Sequence, residues 1–157
     1  MSVEAMSVED RLIELGITLP EPAAPVANYV PYVISGSLVS ISGQISLGPD
    51  GLVTGKVGAD LDEQAAAQAA RLCAINIIAQ LKAATGGDLG RVTRIVKLGA
   101  FVNCVDGFDK QPQVVNGASD LMVAVFGDAG RHSRAAVGTN ALPLNAAVEI
   151  DALAELS

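Results

Sequence analysis

Residues 91–104 read R-V-T-R-I-V-K-L-G-A-F-V-N-C. Apolar and β-branched residues fall at both odd and even positions of this run, so both faces of a strand built from it would be apolar. A strand that is apolar on both faces is typical of the interior of a sheet. We therefore expect residues 91–104 to form the central strand of the fold.

The segments on either side of this strand have the spacing of helices. Residues 61–85 can be capped by Asp62 and ended by Gly86 and Gly87. Their apolar side chains recur every three or four residues, at Ala66, Ala70, Cys73, Ile77 and Leu81. Residues 113–126 predict a second helix, which Gly127 ends. A shorter helix near the N terminus begins at Ser7 and Asp10, which resemble a capping box, and places Val8, Leu12 and Leu15 on one face.

Strands are predicted at both ends of the chain. Residues 26–45 suit a hairpin that turns at residues 35–37, and Pro31 confines part of its first strand to a sheet edge. Residues 134–137 and 146–153 suit two further strands. The predicted order is ββ-α-β-α-ββ, an α+β fold with both helices on one face of a sheet of five or six strands. The other face of the sheet also carries apolar residues, which a monomer would leave exposed to water. We therefore expect an oligomer whose subunits bury this face against one another.

Length and composition limit the class of protein. The chain has 157 residues, which fits one domain. We expect an N-terminal helix and Pro-rich leader over residues 1–25, followed by a single α+β domain over residues 26–157. The net charge of −7 argues against nucleic acid and against anionic membranes as partners. No apolar run approaches a membrane span, and the chain does not open with the basic-then-apolar pattern of a secretory signal, so a cytoplasmic location is expected.

The two cysteines give no sign of a disulfide or of a metal site. Cys73 and Cys104 lie inside apolar patterns and lack a C-x-x-C spacing. We expect two small buried side chains in a reducing compartment. His132, the single histidine, has no second metal-ligand type at a suitable spacing, so a metal site there is not predicted.

Arg134 and Glu149 are the residues whose side chains are best suited to bind or act on a substrate. We place them on two neighbouring strands, where Glu149 and Asp151 face away from Val148, Ile150 and Ala152. A guanidinium can grip a carboxylate through two parallel hydrogen bonds, and a nearby glutamate can orient water or accept a proton. Taken alone, Arg134 can equally be a surface ion-pair residue, and Glu149 part of a solvated face.

Several short motifs occur together in a recognisable order. They are S-G-Q at residues 42–44, Asn116 on the second predicted helix, L-P at residues 142–143, and R-x14-E from Arg134 to Glu149. In this combination the chain resembles the Rid family, also called the YjgF or L-PSP family, over about residues 25–156. The leader E-L-G-I-T-L-P before N-Y-V-P is similar to that of a subgroup with a longer N terminus.

The resemblance implies a chorismate-mutase-like fold, assembled as a homotrimer with sites at the subunit interfaces. It implies hydrolysis of reactive 2-imino acids to 2-oxo acids and ammonia, without a metal or an organic cofactor. Arg134 would grip the carboxylate of this small anionic metabolite, and Glu149 would position the attacking water. Tyr29 and Ser42 would line the pocket, Asn116 would occupy a family position on the helix, and the backbone around Ala136 would contact the imine nitrogen.

Each of these secondary assignments has a structural alternative. Tyr32 is an alternative to Tyr29 as the tyrosine of the pocket. Ser42 and Gln44 can simply belong to the end of a strand. Asn116 can bond to the backbone of its own helix. His132 is close enough to Arg134 to touch a ligand, although a structural role is the simpler interpretation.

Two departures from the family pattern bear on activity. Ala136 stands where the family often has a cysteine, and Gly138 where many members have a glutamate. Both favour a second hypothesis, a trimer that binds a small metabolite without turning it over. A third hypothesis, a ribonuclease or translation inhibitor, is the weakest because the chain is acidic and poor in aromatic residues.

Overall fold

A computed structural model of the chain describes residues 6–22 and 28–157. Two long helices and a five-stranded sheet form the body of the domain. Its elements are α1 (Val8–Glu14), β1 (Tyr32–Ser35), β2 (Leu38–Ile45), β3 (Leu47–Gly48), β4 (Gly51–Leu52), α2 (Glu63–Ala84), β5 (Val92–Asn103), α3 (Gln111–Phe126), β6 (Ser133–Thr139) and β7 (Val148–Leu156). The predicted order ββ-α-β-α-ββ is confirmed, and β3 and β4 add a small separate hairpin after β2.

The sheet is mixed, in the order β1-β2-β7-β5-β6. β5 pairs in parallel with β6, whereas β1–β2, β2–β7 and β7–β5 are antiparallel. The predicted interior position of β5 is confirmed. The expectation that the strands of Arg134 and Glu149 are neighbours is wrong, because β5 lies between β6 and β7. The reason is the β5-α3-β6 connection, which places β6 in parallel on the outer side of β5.

Both helices cover the same face of the sheet, as predicted. α2 packs on β2 and β7, α3 packs on β5 and β6, and the two helices pack on each other. Along β7 the side chains alternate as expected. Val148, Ile150, Ala152 and Ala154 are buried under the helices, while Glu149, Asp151 and Glu155 lie on the opposite, uncovered face.

The link from β6 to β7 crosses the end of β5. Asn103, fully buried at the last position of β5, donates from Nδ2 to the Ala146 carbonyl (3.1 Å) and to Asn145 Oδ1 (3.3 Å). Leu144 and Asn145 have φ of 57° and 58°, a left-handed conformation that non-glycine residues seldom adopt. This sharp turn carries the chain from one side of β5 to the other.

The N-terminal helix packs on the domain. Ser7 Oγ accepts from the Asp10 N–H (3.0 Å), which confirms the predicted cap. Arg11 Nη1 donates to the Val125 carbonyl on α3 (3.2 Å). Leu12 is buried, but Leu15, predicted on the same face, is exposed because the helix ends before it. The predicted boundary between residues 25 and 26 lies outside the described residues.

Other expectations can be compared with the structure directly. The first strand begins only at Tyr32, after a bend at residues 28–29, and Pro31 directly precedes it. Cys73 and Cys104 are both buried and free, as predicted. In the described part of the chain, no helix is long and apolar enough to cross a membrane.

The contact between α2 and α3 depends on a glycine. A Cβ on Gly117 would overlap the Ala67 carbonyl group and lie only 3.2 Å from Ala67 Cα. The approach of the two helix backbones is therefore too close for any side chain at this position. The α2 residue at this contact, Ala67, is itself small.

We predict that Gly117→Ala destabilises the protein by about 1–3 kcal/mol, the usual cost of overpacking a core. The sign of the change in stability is diagnostic, because Gly→Ala at an exposed position inside a helix stabilises a protein by up to about 1 kcal/mol. Urea unfolding measures the effect, with Gln113→Ala at an exposed α3 position as control. A Gly117→Ala protein as stable as wild type would contradict the close approach.

Candidate functional site

Arg134 lies on β6, at the edge of the sheet, on the face that the helices cover. In the sheet, Arg134 pairs with the buried Leu98 of β5. Arg134 Nη1 donates to Ser119 Oγ (3.0 Å) and Nη2 donates to the Pro112 carbonyl (3.2 Å), both on α3. The guanidinium is thus held between the edge strand and the N-terminal half of α3.

The partners of Arg134 leave its charge unneutralised. In residues 6–22 and 28–157 the side-chain ion pairs are Lys110–Glu63 and Arg131–Asp128, and Arg134 belongs to neither. Its two hydrogen bonds use two of the five guanidinium N–H groups and go to neutral oxygens. A positive charge with free donors, held in place by neutral groups, is suited to a carboxylate ligand.

Two other predicted residues lie on the same side as Arg134. Asn116 is exposed on α3, three residues before Ser119 and four after Pro112, so it lies on the same stripe of the helix as both. Ala136 is two residues from Arg134 on β6 and faces the same way, partly buried. We call Arg134, Asn116, Ser119 and Ala136 the arginine half-site.

Ser119 was not predicted from the sequence, and His132 was not assigned a role beside it. Ser119 Oγ lies 2.8 Å from His132 Nε2, and His132 Nδ1 lies 2.6 Å from the Gly130 carbonyl oxygen. The signal available in the sequence was weak, since a serine in mid-helix is usually structural. Its spacing of three from Asn116 was the only indication that both line one surface.

Glu149 lies on the opposite, uncovered face of the sheet. It pairs with Ile45 of β2 and Phe101 of β5. Its side chain lies over Gly43, where a Cβ would come within 3.0 Å of the Glu149 Cδ. β2 carries a bulge between Ile41 and Gln44, so that two of its residues oppose one on β7. The bulge and the missing side chain of Gly43 make room for the carboxylate.

The environment of Glu149 favours its protonated form. Burial raises the pKa of Glu149, and the nearby Asp151 carboxylate raises it further. The pKa of Asp151 is also raised by burial, although Lys97 and a backbone hydrogen bond from Gly99 partly offset the effect. A carboxylate with a raised pKa is a stronger base when ionised, as a group that accepts a proton from water needs to be.

Ser42 directly precedes Gly43 on β2, and two hydrogen bonds connect it to the residues that follow Tyr29. Ser42 Oγ donates to the Val30 carbonyl (2.8 Å), and the Ser42 N–H donates to the Pro31 carbonyl (3.0 Å). Ser42 therefore holds the segment that follows Tyr29. Tyr29 is 47% exposed, whereas Tyr32 packs against the core, so Tyr29 is the tyrosine available to a ligand. We call Glu149, Gly43, Ser42 and Tyr29 the carboxylate half-site.

Within one chain the two half-sites do not meet. Arg134 shares the helix-covered face with Leu98, whereas Glu149 shares the uncovered face with Phe101. The sheet and one whole strand, β5, separate them. The sequence-based expectation of a guanidinium beside a carboxylate on adjacent strands is therefore wrong for a single chain.

Gly138 is constrained by its neighbours. A Cβ at this position would lie 2.8 Å from Cys104 Sγ and 2.9 Å from Gln111 Nε2. Gln111 Nε2 is held by the Phe108 carbonyl, to which it donates (2.8 Å). A side chain at this exposed position would therefore require Cys104 or the end of the Gln111 side chain to shift.

The structure also contains an open pocket of about 440 Å³ away from both half-sites. It is lined by Gly58, Leu61, Asp62, Glu63, Val105, Asp106, Gly107, Phe108, Asp109 and Lys110. None of the predicted site residues contributes to it. Within residues 6–22 and 28–157, no three His, Cys, Asp or Glu side chains are grouped as metal ligands would be.

Comparison with known proteins agrees with this fold. Residues 9–156 match the family described as "YjgF/chorismate mutase-like, putative endoribonuclease". TCP17 of Trypanosoma cruzi is 50% identical over 160 residues, which cover 100% of this chain and 99% of TCP17. This chain therefore belongs to the YjgF/chorismate-mutase-like family, as the resemblance indicated.

Two crystal structures illustrate the range of the family. Atu1372 from Agrobacterium tumefaciens, a protein of unknown function, is 52% identical with a TM-score of 0.89, covering 96% of this chain and 92% of Atu1372. TdcF from E. coli, solved with bound serine, is 28% identical with a TM-score of 0.60, covering 87% of this chain and 94% of TdcF. The leader helix, which begins at residue 8, lies within the family match except for its first residue.

We predict that Glu149→Gln gains stability relative to wild type as the pH rises. The folded protein holds the Glu149 proton more tightly than the unfolded chain, so wild type loses stability from about pH 4.5 upward through the raised pKa. The variant cannot ionise there and escapes this loss. Urea unfolding below pH 4.5 and at pH 7 measures the difference.

The exposed Glu14→Gln serves as control for removing one negative charge. A stability difference between Glu149→Gln and wild type that stays constant over this pH range would show that Glu149 is not desolvated in the folded protein.

Proposed function

We propose that this protein hydrolyses small 2-imino acids to 2-oxo acids and ammonia, at sites formed between copies of the chain. The observation that supports it most is the environment of Arg134. Its guanidinium is ordered by Ser119 and Pro112, is not ion-paired in the described part of the chain, and keeps donors for an incoming anion. A carboxylate bound there would be oriented as well as attracted.

The geometry of the half-sites supports assembly between copies. Arg134 and Glu149 can act on one small molecule only if they come from different chains, since β5 separates them within one chain. The uncovered face also exposes apolar side chains, including Val33 (54%), Phe101 (39%) and Val137 (46%). Burial of this face against other copies would be favourable. A homotrimer is the assembly that the family resemblance implies.

In the proposed reaction Arg134 binds the substrate carboxylate, and Glu149 of a neighbouring copy accepts a proton from water as the oxygen adds to the imine carbon. The C=N bond becomes a C–N single bond. Glu149 then returns the proton to the nitrogen. The C–N bond breaks and ammonia leaves, while the hydroxyl group of the intermediate gives its proton to Glu149 as the C=O bond of the 2-oxo acid forms. A protonated imine is already electrophilic, so these residues need to supply only orientation and one proton acceptor.

The remaining predicted residues would shape the pocket. Tyr29 and Ser42 would close it on the side of Glu149, and Asn116 and the backbone of Ala136 on the side of Arg134. The ligand of TdcF, serine, is a small molecule with a carboxylate, which is consistent with an anionic ligand here. Free, buried cysteines suit the cytoplasmic location that this proposal assumes.

A binding module that lacks turnover is the second candidate. Ala136 and Gly138 favour it, because they stand where the family often has a cysteine and a glutamate, and a side chain at Gly138 would require Cys104 or Gln111 to shift. A protein of this kind would bind the 2-oxo acid at Arg134 and release no ammonia from the imine. The endoribonuclease description of the family is a third possibility, which the net charge of −7 disfavours.

We predict that Arg134→Ala lowers kcat/KM for freshly generated 2-iminobutanoate by at least about 100-fold, since the substrate loses its anchor. Ammonia release measures turnover, and circular dichroism shows whether the fold is kept. Arg131→Ala is the matched control, because Arg131 is exposed and pairs only with Asp128.

Equal activity of Arg134→Ala and wild type would refute the proposed role of Arg134. No turnover by wild type, together with binding of 2-oxobutanoate that Arg134→Ala loses, would favour the binding module instead.

A further inference from the structure

The guanidinium of Arg134 stands at one end of a chain of hydrogen bonds that passes through two side chains to the backbone. Arg134 Nη1 is 3.0 Å from Ser119 Oγ, which is 2.8 Å from His132 Nε2. His132 Nδ1 is 2.6 Å from the Gly130 carbonyl oxygen. All three distances lie within the normal hydrogen-bond range.

The chemistry of the groups fixes the direction of every bond when His132 is neutral. A carbonyl oxygen only accepts, so His132 Nδ1 carries a proton and donates it to Gly130. In a neutral imidazole the other nitrogen is then an acceptor, and it receives the Ser119 hydroxyl proton. The Ser119 oxygen is left to accept from Arg134 Nη1. The rotation of the Ser119 hydroxyl is thereby fixed with its lone pairs available to Arg134.

Both ends of this series of hydrogen bonds are held against α3. Gly130 is buried, and a Cβ there would lie 2.6 Å from the Met122 carbonyl carbon and 3.0 Å from Val123 N, so its backbone is pressed against the helix. At the other end, Arg134 Nη2 donates to the Pro112 carbonyl. The guanidinium is therefore fixed at two nitrogens by groups that a single rigid helix supports.

We propose that Ser119 and His132 are positioning residues that hold Arg134 in the orientation needed to bind the substrate carboxylate. This inference rests on the proposed function, because it assigns them to the same site. Both residues act through neutral hydrogen bonds, so they orient the guanidinium without neutralising it. An aspartate or glutamate in the place of Ser119 would orient it equally well but would compete with the substrate for its charge.

Spectroscopy of His132 and Arg134 tests the chain of hydrogen bonds without any substrate. His132 is the single histidine, so long-range ¹H–¹⁵N correlations report its tautomer directly. We expect the neutral ring to carry its proton on Nδ1. We also expect Ser119→Ala to speed rotation about the Cζ–Nη bonds of Arg134. The NMR signals of the Arg134 guanidinium are identified as those that disappear in Arg134→Ala. A proton on Nε2 in wild type, or unchanged Arg134 rotation in Ser119→Ala, would overturn the proposal.

Calorimetric binding of 2-oxobutanoate tests the functional consequence. Ser119→Ala should raise Kd about tenfold, the loss expected for one hydrogen bond to a charged group. His132→Leu should raise it about fivefold, because the bond that it removes is to the neutral Ser119 hydroxyl. Ser119→Thr keeps the hydroxyl, and His132→Gln keeps an acceptor at the position of Nε2, so both should stay within about twofold of wild type. A general loss of stability would not separate these pairs, and thermal unfolding of all four variants checks for it.

Arg134→Ala separates failure of this inference from failure of the proposed function. If Arg134→Ala loses binding while Ser119→Ala and His132→Leu bind like wild type, the positioning role alone is refuted. If Arg134→Ala itself binds like wild type, or if wild type does not bind, the proposed function fails and the positioning role fails with it.

Discussion

The pairing of β5 with β6 on one side and β7 on the other is the constraint on which the rest of the structure depends. It places β6 at the edge of the sheet and β7 in its interior, although the two strands follow each other in the chain. The link between them must then cross the end of β5, which it does through left-handed residues Leu144 and Asn145 and the buried Asn103. Arg134 and Glu149 then lie on strands that are not neighbours, and their registers with Leu98 and Phe101 of β5 place them on different faces.

Under the proposed function, this separation leaves each chain with two half-sites. On the helix-covered side, Arg134 is held by neutral oxygens and keeps its charge. On the uncovered side, Glu149 has a raised pKa and space provided by Gly43, and it forms no ion pair within residues 6–22 and 28–157. The proposed assembly brings complementary halves together, so the oligomer would be required for activity as well as for burial of an apolar face.

Much of the fold could be predicted from the sequence because its signals are local. Asp62 caps α2, Gly127 ends α3, and the alternation along β7 is readable from residues two apart. The order of the strands could not be predicted from such patterns, because it depends on pairing between distant segments. That is why the expectation of adjacent strands for Arg134 and Glu149 was wrong while the faces of β7 were assigned correctly.

The candidate site shows the same division. Arg134 and Glu149 could be singled out by type and spacing and Asn116 by the family resemblance, and their roles stay predictions. Ser119 and His132 could not be connected to Arg134, because a directed chain of hydrogen bonds exists only once α3 and β6 are packed together. The sequence could not predict the close neighbours of Gly138 either, because Cys104 and Gln111 lie beside it only in the folded chain.

The most direct test of the central claim is to combine two inactive variants in one oligomer. Arg134→Ala and Glu149→Gln, each with a different affinity tag, are co-expressed, and oligomers carrying both tags are assayed for ammonia release from 2-iminobutanoate. If each site takes Arg134 from one copy and Glu149 from another, about a third of the sites in a trimer that carries both tags regain both residues, and activity returns. Mixed oligomers as inactive as either parent would contradict a site shared between copies.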